Sequence, residues 1–587
     1  MYTFKNCILL VVFNYSQCVK NKDIIKTIYA SHFKHILFYS DLPRIEDEEI
    51  NYVDIKRGYT THTLFKHFYT KYKDMIAQCD GLFYTMDDNI INMNILNLYD
   101  SSKILYYYSE NKPVDTYSGW WWDAPDHDGG KYGKHAIRNL LNDTVAKQYN
   151  ITTFSGNFSD WFYLPKKYLT DQLFDMFELF SKYEVFLEIA IPSIIHFVEP
   201  DESKYQRFTD EVTWYNDRQK LLNKEYIYKS LNHNHNLLLH PIKFNQNPQS
   251  KDWLQEFFCK EKCVIITTIN NPTETILKHI ENTEYDVIIV GDNKTPDSYK
   301  ALNCIYLDIP AQKKLFPELS DLLPYNHYCR KNVGYLYAIK RGYKVIYETD
   351  DDNIPYSNFD SILQYTDLQM ITEQNSRWIN IFKYFTKNAY IWPRGFPLSL
   401  LKNDANYMIQ PTDKKPSIIN GLVENDPDVD ALFRIVCNHQ DSIVWEKDKQ
   451  IVIDNKNLCV FNTQNTFWLN PELFICLLIP SSVSFRYCDI LRGIINNVIL
   501  KKTNTYMMYS SPNVVQHRNV HNLLSDFKSE YEMYIHNETI LDYIENNIGD
   551  DTMSVKDILT QVYTNLLHNN VIKQLDIDIL CKWISYF

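Results

Sequence analysis

Three consecutive aspartates, Asp350–Asp352, follow an apolar stretch that is typical of a buried strand, Val345–Tyr347. Neighbouring carboxylates repel one another, so without a counter-ion at least one of them tends to keep its proton. A divalent cation such as Mg²⁺ or Mn²⁺ removes this repulsion, because hard cations prefer oxygen ligands and commonly bind one or two carboxylates together with substrate phosphates. The triplet therefore suggests metal-assisted departure of a diphosphate, in which the metal stabilises the charge of the leaving group.

Two other interpretations of the triplet exist. A calcium-binding loop requires Asp-x-Asp-x-Asp-Gly, whereas Ile354 and Pro355 follow the triplet here, so this interpretation fails. A solvated acidic turn is the other alternative, and three aspartates without further context would favour it. The surrounding sequence has to decide between such a turn and a ligand site.

The elements that must position these side chains form a repeated pattern. Short apolar runs alternate with amphipathic helical patterns in both halves of the chain, which is typical of α/β domains. Three landmarks recur in order at nearly constant spacing: NCILLVVFN and KCVIITTIN, then FKHILFYSD and YDVIIVGD, then GLFYTMDDNI and KVIYETDDDNI. A repeat of this length indicates two copies of a whole domain. Ligands of open α/β sheets bind at the carboxyl ends of the strands, where the aspartates of both copies fall.

The segment HPIKFNQNPQSKDW, residues 240–253, is rich in Asn, Gln and Pro and is predicted to join the two copies. We expect a first module over residues 1–245, a second over residues 257–535 and a helical C-terminal region over residues 536–587. A capping-box-like pair, Ser554 and Asp557, predicts the start of a helix in that last region.

Composition and charge limit the classes of function. The 587 residues carry 73 acidic and 60 basic side chains, a net charge of −13, without a run of Lys or Arg, so nucleic acid is disfavoured as a partner. No stretch reaches the ~18 apolar residues that a membrane span requires. The apolar run Ile8–Phe13 is too short for a signal peptide and predicts a strand. Cys259 and Cys263 lack the second half of a zinc site. These features indicate a cytoplasmic protein with reduced cysteines.

A series of long motifs runs in order from Cys263 to about Tyr534: CVIITTINNPTETI, YDVIIVGDNKTP, LPYNHYCRKNVGYLYAIKRGYKVIYETDDDN, WPRGFPLSL, GLVENDPDVDALFRI, FNTQNTFW, VSFRYCDILRG and VVQHRNVHNLLSDF. Together they resemble the STELLO-type glycosyltransferase domain. ETDDDN and PRGFPLSL also resemble the reversibly glycosylated polypeptides, which are sugar-nucleotide mutases. Both families imply a GT-A fold, an α/β architecture whose Rossmann-like, mostly parallel sheet binds a nucleotide-sugar, usually with a metal. The sequence departs from the STELLO pattern in lacking the N-terminal membrane anchor of the Golgi proteins.

The resemblance implies roles for polar residues of this region. Asp350, Asp351 and Asp352 are expected to bind the metal or the ribose, and Asp489 is the expected base for an inverting transfer. The expected nucleotide contacts are Thr268, Asn270, Asp292, Arg330, Lys331 and Asn332, with the basic pair exposed to reach phosphate. The expected substrate contacts are Arg394, Glu424, Asp426, Asp428 and Arg492. Ordinary turns, a solvated helix face and a surface ion pair are the alternatives, and the acidic loop GLVENDPDVD is an alternative source of the base.

The N-terminal copy resembles sugar-transferase modules more weakly, through TMDDNIIN, GKYGKHAIRNLL, DWFYLPKKYL and FLEIAIPSII. This resemblance implies Asp87 and Asp88 as a metal pair and Glu188 as a base. A carboxylate in such an apolar stretch is costly unless it has a function or a partner. Further expected contacts are Asn14 and Asp41 for the nucleotide and Trp121 for stacking on a sugar. The chain is thus expected to hold two GT-A-like domains in tandem.

Three functions remain open at this point. The first is a metal-dependent, bifunctional glycosyltransferase that uses Mn²⁺ or Mg²⁺ and transfers sugars from a nucleotide-sugar, with UDP-sugar expected, to a glycan. The second is a sugar-nucleotide mutase, which needs no acceptor. The third is a non-catalytic protein that binds sugar or associates with other enzymes of glycan synthesis.

Overall fold

The computed structural model describes residues 4–42, 47–118, 131–213, 215–388, 390–437, 443–517, 522–545, 548 and 553–587. The chain divides into two compact units, Met1–Cys259 and Lys260–Phe587. The segment predicted as a join, residues 240–253, lies within the first unit, where it overlaps a buried strand and the helix Ser250–Phe258.

The first unit is built on a five-stranded sheet whose strands are rich in apolar residues. The strands of the whole unit, which form this sheet and two smaller ones, are Ile8–Phe13 (β1), His35–Ser40 (β2), Ile50–Tyr52 (β3), Gly81–Met86 (β4), Ile90–Ile91 (β5), Lys112–Pro113 (β6), Thr153–Phe154 (β7), Trp161–Pro165 (β8), Asp210–Val212 (β9) and Leu238–His240 (β10). The main sheet has the order β3-β2-β1-β4-β8, in which only β8 runs antiparallel to its neighbour. β5, β10 and β9 form a second sheet, and β6 pairs with β7. β1 is buried along its whole length, as strands covered on both faces are.

Helices cover this sheet with apolar faces. They are Lys22–Tyr29 (α1), Leu64–Lys71 (α2), Lys73–Gln78 (α3), Met93–Leu96 (α4), Ala136–Leu140 (α5), Thr144–Gln148 (α6), Asp171–Lys182 (α7), Leu187–Val198 (α8), Lys224–Asn232 (α9) and Ser250–Phe258 (α10). The core includes stacked rings of Phe65 and Phe177, whose centroids are 4.1 Å apart. Thr170 caps α7 by accepting a hydrogen bond from the Leu173 amide.

The second unit contains an eleven-stranded sheet. Its strands are Lys262–Thr267 (β11), Tyr285–Val290 (β12), Ile305–Leu307 (β13), Val345–Thr349 (β14), Asn353–Pro355 (β15), Gln369–Glu373 (β16), Tyr407–Pro411 (β17), Pro416–Glu424 (β18), Gln450–Ile453 (β19), Asn465–Trp468 (β20) and Tyr506–Gln516 (β21). The main order is β13-β12-β11-β14-β20-β18-β21-β19-β16-β17, and β15 pairs with β21. The first four strands are parallel. Beyond them the pairs β14-β20, β20-β18, β21-β19 and β16-β17 are antiparallel, and the pairs β18-β21 and β19-β16 are parallel. The expectation of a mostly parallel sheet therefore holds for only part of this unit.

The helices of the second unit pack on this sheet and beside it. They are Glu274–Glu281 (α11), Ile309–Leu315 (α12), Pro317–Leu322 (α13), Lys331–Arg341 (α14), Phe382–Phe385 (α15), Ala431–Val436 (α16), Cys488–Lys502 (α17), Leu523–Asn537 (α18), Ile540–Ile544 (α19), Val555–His568 (α20) and Gln574–Ile584 (α21). Gly334 in α14 faces the sheet so closely that an added Cβ would lie 2.5 Å from Val290. Ser554 caps α20 and accepts a hydrogen bond from the Asp557 amide, as the sequence predicts.

The two sheets share one strand order where the sequence repeats. In each unit the first strand lies centrally between the second strand and the DD-bearing strand, and an antiparallel strand follows, giving β3-β2-β1-β4-β8 and β13-β12-β11-β14-β20. The α/β class predicted from the sequence is confirmed, with parallel strands in both units.

The last helices belong to the second unit. Trp583 of α21 is fully buried and donates from Nε1 to the Ile475 carbonyl at 2.8 Å. Asp576 of the same helix is also buried and accepts from the Ser481 amide at 2.6 Å. In the part of the chain that the structure describes, no helix is both long enough and apolar enough to cross a membrane.

Candidate active site

The carboxyl ends of the parallel strands of the second unit open into one pocket. β11, β12 and β14 end at Thr267, Val290 and Thr349, so the residues that follow them meet at the same edge. The pocket has a volume of ≈ 450 Å³. Residues from the sequence prediction that line it are Thr268, Asn270, Asp292, Asp350, Asp351, Asp352, Arg394, Asp428 and Asp489. The aspartate triplet therefore faces a concave site and is not a solvated surface turn.

Each aspartate of the triplet has different partners. Asp351 accepts hydrogen bonds from Thr268 Oγ1 at 2.5 Å and from Asn270 Nδ2 at 2.9 Å, which ties the triplet to the end of β11. Asp352 accepts from Gln516 Nε2 at 2.9 Å, at the end of β21. Asp351 is thus an anchor of the loop, whereas Asp350 and Asp352 flank it on the pocket wall.

Asp350 lies above a buried lysine. Lys331 Nζ is 3.7 Å from Asp350 Oδ1 and has no exposed surface. It donates to the Thr349 carbonyl at 2.7 Å and to the Tyr328 hydroxyl at 2.8 Å, and that hydroxyl donates to Asp350. Burial raises the pKa of Asp350 to about 7, and Lys331 opposes the rise. Lys331, predicted to be exposed, is instead buried beside the Asp350 carboxylate.

The donor set of the triplet fits a hard cation that also binds substrate. Among the described residues, no group of three or more His, Cys, Asp or Glu side chains is arranged to hold a metal by itself. Asp350 and Asp352 supply two carboxylates on one pocket wall, and Mg²⁺-type sites commonly complete such a set with water and substrate phosphates. The pocket is therefore suited to a metal that arrives with a diphosphate.

A buried arginine of the pocket lining holds two carboxylates. Arg394 donates to Asp428 from Nε at 2.7 Å and from Nη2 at 3.0 Å. It also donates to Asp489 from Nη1 at 3.0 Å and from Nη2 at 2.7 Å. Burial lowers the pKa of Arg394, but Asp428 and Asp489 raise it well above its usual range. Arg394 and Asp489 therefore act as one charged unit, in which the carboxylate is held in place.

The sequence prediction missed the aromatic and basic lining of the pocket. Phe485 is 57% exposed, and its ring packs edge-on at 5.7 Å from that of Tyr328. Ile269 is 49% exposed on the same pocket. Further lining residues absent from the prediction are Lys294, Arg434, Thr463, Gln464, Arg486 and Gln516. A sequence signal was present for Phe485, since it lies within the motif VSFRYCDILRG beside Asp489.

Two predicted nucleotide contacts lie away from the pocket. Arg330 is fully buried and donates to Gln312 and to the Leu323 carbonyl, so the expectation that it is exposed for phosphate is wrong. The side chain of Asn332 is bonded to the backbone of Ile479.

Arg492 neither pairs with Asp489 nor lines the pocket. It is fully buried and donates to both oxygens of Glu348, at 2.8 and 2.6 Å. A buried carboxylate needs such a partner, and Glu348 on β14 supplies no charge to the pocket as a result. The predicted substrate contact of Arg492 is therefore corrected to a structural ion pair.

The predicted contacts of the acidic loop after β18 do not all lie in the main pocket. Only Asp428 of its predicted contacts lines the main pocket. Asp426 pairs with Arg434 at 2.6 Å, and Glu424 accepts from the Tyr356 hydroxyl and lines a separate cavity of ≈ 360 Å³. Asp430 caps α16 by accepting from the Phe433 amide at 2.7 Å.

The residues predicted as the site of the first unit lie in different surroundings from those of the second unit. Asp87 and Asp88 are 8% and 6% exposed, and Asp88 pairs with Lys243. Asn14 lies against Gly58, and Asp41 accepts a hydrogen bond from the Ile55 amide at 3.2 Å. Glu188 lies half-buried in the first turn of α8. Trp121 lies outside the described residues.

The comparisons with known proteins show similarity to glycosyltransferases. Residues 486–586 match the family described as STELLO glycosyltransferases, so the STELLO-type resemblance predicted from the sequence is confirmed. The chain is similar to the probable glycosyltransferase STELLO1 of Arabidopsis thaliana, with 28% identity over 291 residues, 46% of this chain and 38% of that protein. It is 27% identical to the probable glycosyltransferase STELLO2 of the same plant over 296 residues, 47% of this chain and 38% of that protein. The matches thus span well under half the length of these relatives.

Two solved glycosyltransferases show weak structural similarity. The glycosyltransferase GlyE of Streptococcus pneumoniae TIGR4 is 13% identical, with coverage of 52% of this chain and 79% of that chain and a TM-score of 0.20. The mannosyltransferase PcManGT of Pyrobaculum calidifontis, solved with GDP-Man and Mn²⁺, is 10% identical, with coverage of 62% and 97% and a TM-score of 0.25. Superpositions of this quality define no shared detail of the site.

Proposed function

We propose that the chain is a metal-dependent glycosyltransferase whose donor site is the pocket of the unit Lys260–Phe587, a GT-A-like module. The observation that carries this proposal is that Asp350–Asp352 lie at the end of β14 on one pocket with Thr268, Asp292 and Asp489. Clustered carboxylates beside a ligand-sized cavity suit a cation and a diphosphate. The STELLO match over residues 486–586 supports the same class.

The donor half of the pocket is the edge formed by β11, β12 and β14. We assign Asp350 and Asp352 to the metal, with Mn²⁺ or Mg²⁺ as the cation. When bound, such a metal neutralises the charge that gathers on the departing diphosphate. Asp292 and Asn270 are assigned to the nucleoside, with a UDP-sugar as the expected donor. Asp351 holds the loop through Thr268 and leaves the flanking carboxylates to bind.

The acceptor half contains Arg394 and Asp489. In glycosyl transfer a hydroxyl oxygen of the glycan acceptor bonds to the anomeric carbon, the bond to the diphosphate breaks, and the electron pair leaves with the diphosphate. The hydroxyl proton must pass to a base, which we assign to Asp489 in an inverting reaction. Both oxygens of Asp489 are held by Arg394, so this role requires that Arg394 loosen from Asp489 while it keeps Asp428.

The test is diphosphate release by the full chain from a panel of nucleotide-sugars in the presence of Mn²⁺ and glycan acceptors. We expect release that stops in Asp352→Asn and persists in Asp404→Asn, which changes an exposed aspartate outside the pocket. A thermal shift with Mn²⁺ and UDP gives a second readout, since a ligand that binds only the folded state raises its stability.

The same experiment separates the other two functions. Isomerisation of the donor without diphosphate release would replace the proposal with a sugar-nucleotide mutase. Absence of nucleotide binding, with the wild-type chain folded, would replace it with a non-catalytic scaffold. The bifunctional form of the proposal adds a second donor site at Asp87 and Asp88 of the first unit, and it requires that this pair accept a metal.

A further inference from the structure

The acidic pairs of the two units occupy the same place in the strand order but different surroundings. Asp87 follows β4 as Asp350 follows β14, and each of these strands lies beside the first strand of its sheet. The Asp350 side chain is 32% exposed, whereas that of Asp88 is 9% exposed. A ligand can therefore reach the carboxylates of the second unit more readily than those of the first.

A later segment of the chain covers the pair in the first unit. β10 pairs antiparallel with β5, which directly follows the aspartates, so that Leu239 lies opposite Ile90. Beyond β10, the Ile242 amide donates to the Asp88 carbonyl at 2.7 Å. This segment was predicted from the sequence to join the two copies, and it packs instead against the residues that follow β4.

The same segment brings the counter-charge. The Lys243 ammonium donates to Asp88 Oδ2 in an ion pair. His240 lies on the other side, with Nδ1 2.7 Å from Asn89 Oδ1 and 3.7 Å from Asp88 Oδ1, and with Nε2 3.5 Å from Asp160. Burial lowers the pKa of His240 to about 4, so Lys243 is the cation of the cluster near neutral pH.

The contacts of Asp88 are made within the protein. Lys243 binds Oδ2, His240 Nδ1 lies 3.7 Å from Oδ1, and the Asp88 side chain is 9% exposed. A divalent cation at Asp88 would have to displace the Lys243 ammonium from this buried ion pair, which costs free energy.

We infer that Lys243 occupies the place of a metal in the first unit, so that of the two acidic clusters in the described residues, Asp350–Asp352 is a metal-dependent diphosphate site and Asp87–Asp88 is not. The acidic pair Asp87 and Asp88 is a closed ion-pair cluster, and the first unit is a module without metal-dependent transfer at this position. The statement that the second unit binds a metal rests on the proposed function. The statement about the first unit does not. It replaces the expectation that the two copies carry equivalent metal pairs.

The test counts the Mn²⁺ ions bound to the full chain after equilibrium dialysis against Mn²⁺ and UDP, because the two carboxylates of the second unit need a diphosphate to complete the metal's ligands. We expect one ion for the wild-type chain, one for Asp88→Asn and none for Asp352→Asn. A second ion that is lost in Asp88→Asn would overturn the inference and leave the proposed function intact. No ion in the wild-type chain would overturn the metal dependence of the proposed function and leave the first unit as inferred.

A double variant tests Lys243 itself. In Asp352→Asn combined with Lys243→Met, the unpaired Asp88 carboxylate is expected to recruit a cation, so one Mn²⁺ binds and raises the melting temperature. Failure to bind Mn²⁺ in a folded double variant would contradict the assignment to Lys243. If the double variant does not fold, the count in Asp88→Asn still decides the question.

Discussion

The Lys331 side-chain nitrogen lies 3.7 Å from the Asp350 carboxylate and is wholly removed from solvent. The lysine is fixed by the Thr349 carbonyl and the Tyr328 hydroxyl. Burial lowers the pKa of Lys331, and the Asp350 carboxylate opposes that lowering. The first prediction follows from the protonation of Asp350.

Mn²⁺ affinity should rise with pH up to about 7 and then level off. Asp350 has a native pKa raised to about 7 from 3.8, so the folded protein holds a proton there that the unfolded chain has lost. This group therefore favours the folded state below its native pKa, and its contribution falls as pH rises from about 4 to about 7. Metal binding requires the ionised form. Isothermal titration with Mn²⁺ between about pH 5.5 and about pH 8 measures the dependence, and a flat profile would contradict it.

Lys331→Met should move this pH dependence upward by about one unit, because a nearby positive charge favours the ionised carboxylate. The same titrations, repeated on the variant, give the shift. Lys294→Met is the matched control, since Lys294 also lines the pocket but is exposed. An unchanged midpoint in a folded Lys331→Met variant would show that Lys331 does not act on Asp350.

Arg394→Gln should lower the free energy of unfolding by about 3–5 kcal/mol, because it removes the buried guanidinium that the Asp428 and Asp489 carboxylates share. Urea denaturation measures the loss. Arg434→Gln is the control, since Arg434 pairs with one carboxylate, that of Asp426. Equal losses in the two variants would argue against a special role for the Arg394 clamp.

Phe485→Ala should raise the KM for the acceptor or donor roughly 3- to 10-fold without a loss of stability. An aromatic face on a ligand contributes about 0.5–1.5 kcal/mol beyond area burial, and a ring that is 57% exposed contributes little to the fold. Tyr531→Ala is a close control, because Tyr531 is also 57% exposed but lies outside this pocket. Steady-state kinetics on both variants decides whether Phe485 contacts substrate.

Gly493→Ala should destabilise the second unit by about 1–3 kcal/mol or more through overpacking. An added Cβ in α17 would lie 2.1 Å from the Phe461 carbonyl oxygen, which belongs to the backbone and cannot move alone. At Gly291 the nearest atoms belong to the Tyr306 side chain at 3.0 Å, so Gly291→Ala should cost less. Thermal unfolding compares the two variants.

The sequence was informative where local pattern determines position. Apolar runs that end in polar residues predict strand ends, and parallel strands bring their ends together, so the order of the residues along the chain is enough to group Thr268, Asp292 and Asp350. The repeat likewise predicted α/β units with strands in corresponding places.

Such patterns do not predict which side chains pair when they lie far apart in the sequence. Arg492 sits one turn from Asp489, yet it pairs with Glu348, which is remote in sequence. A charge on a helix does not reveal which carboxylate of a neighbouring strand faces it. Lys243 was missed for the same reason, because Asn, Gln and Pro around it indicated a linker and concealed a segment that folds back on Asp88.

The final helix of the chain has a consequence for experimental design. Asp576 of α21 receives hydrogen bonds from Ser481 and Ser482, just ahead of the segment that carries Phe485 to the pocket. Trimming the chain before α21 would remove this support from the wall of the pocket and expose the apolar surface that Trp583 covers. Loss of activity in a variant shortened before α21 would therefore reflect a damaged pocket wall and not the loss of a catalytic residue.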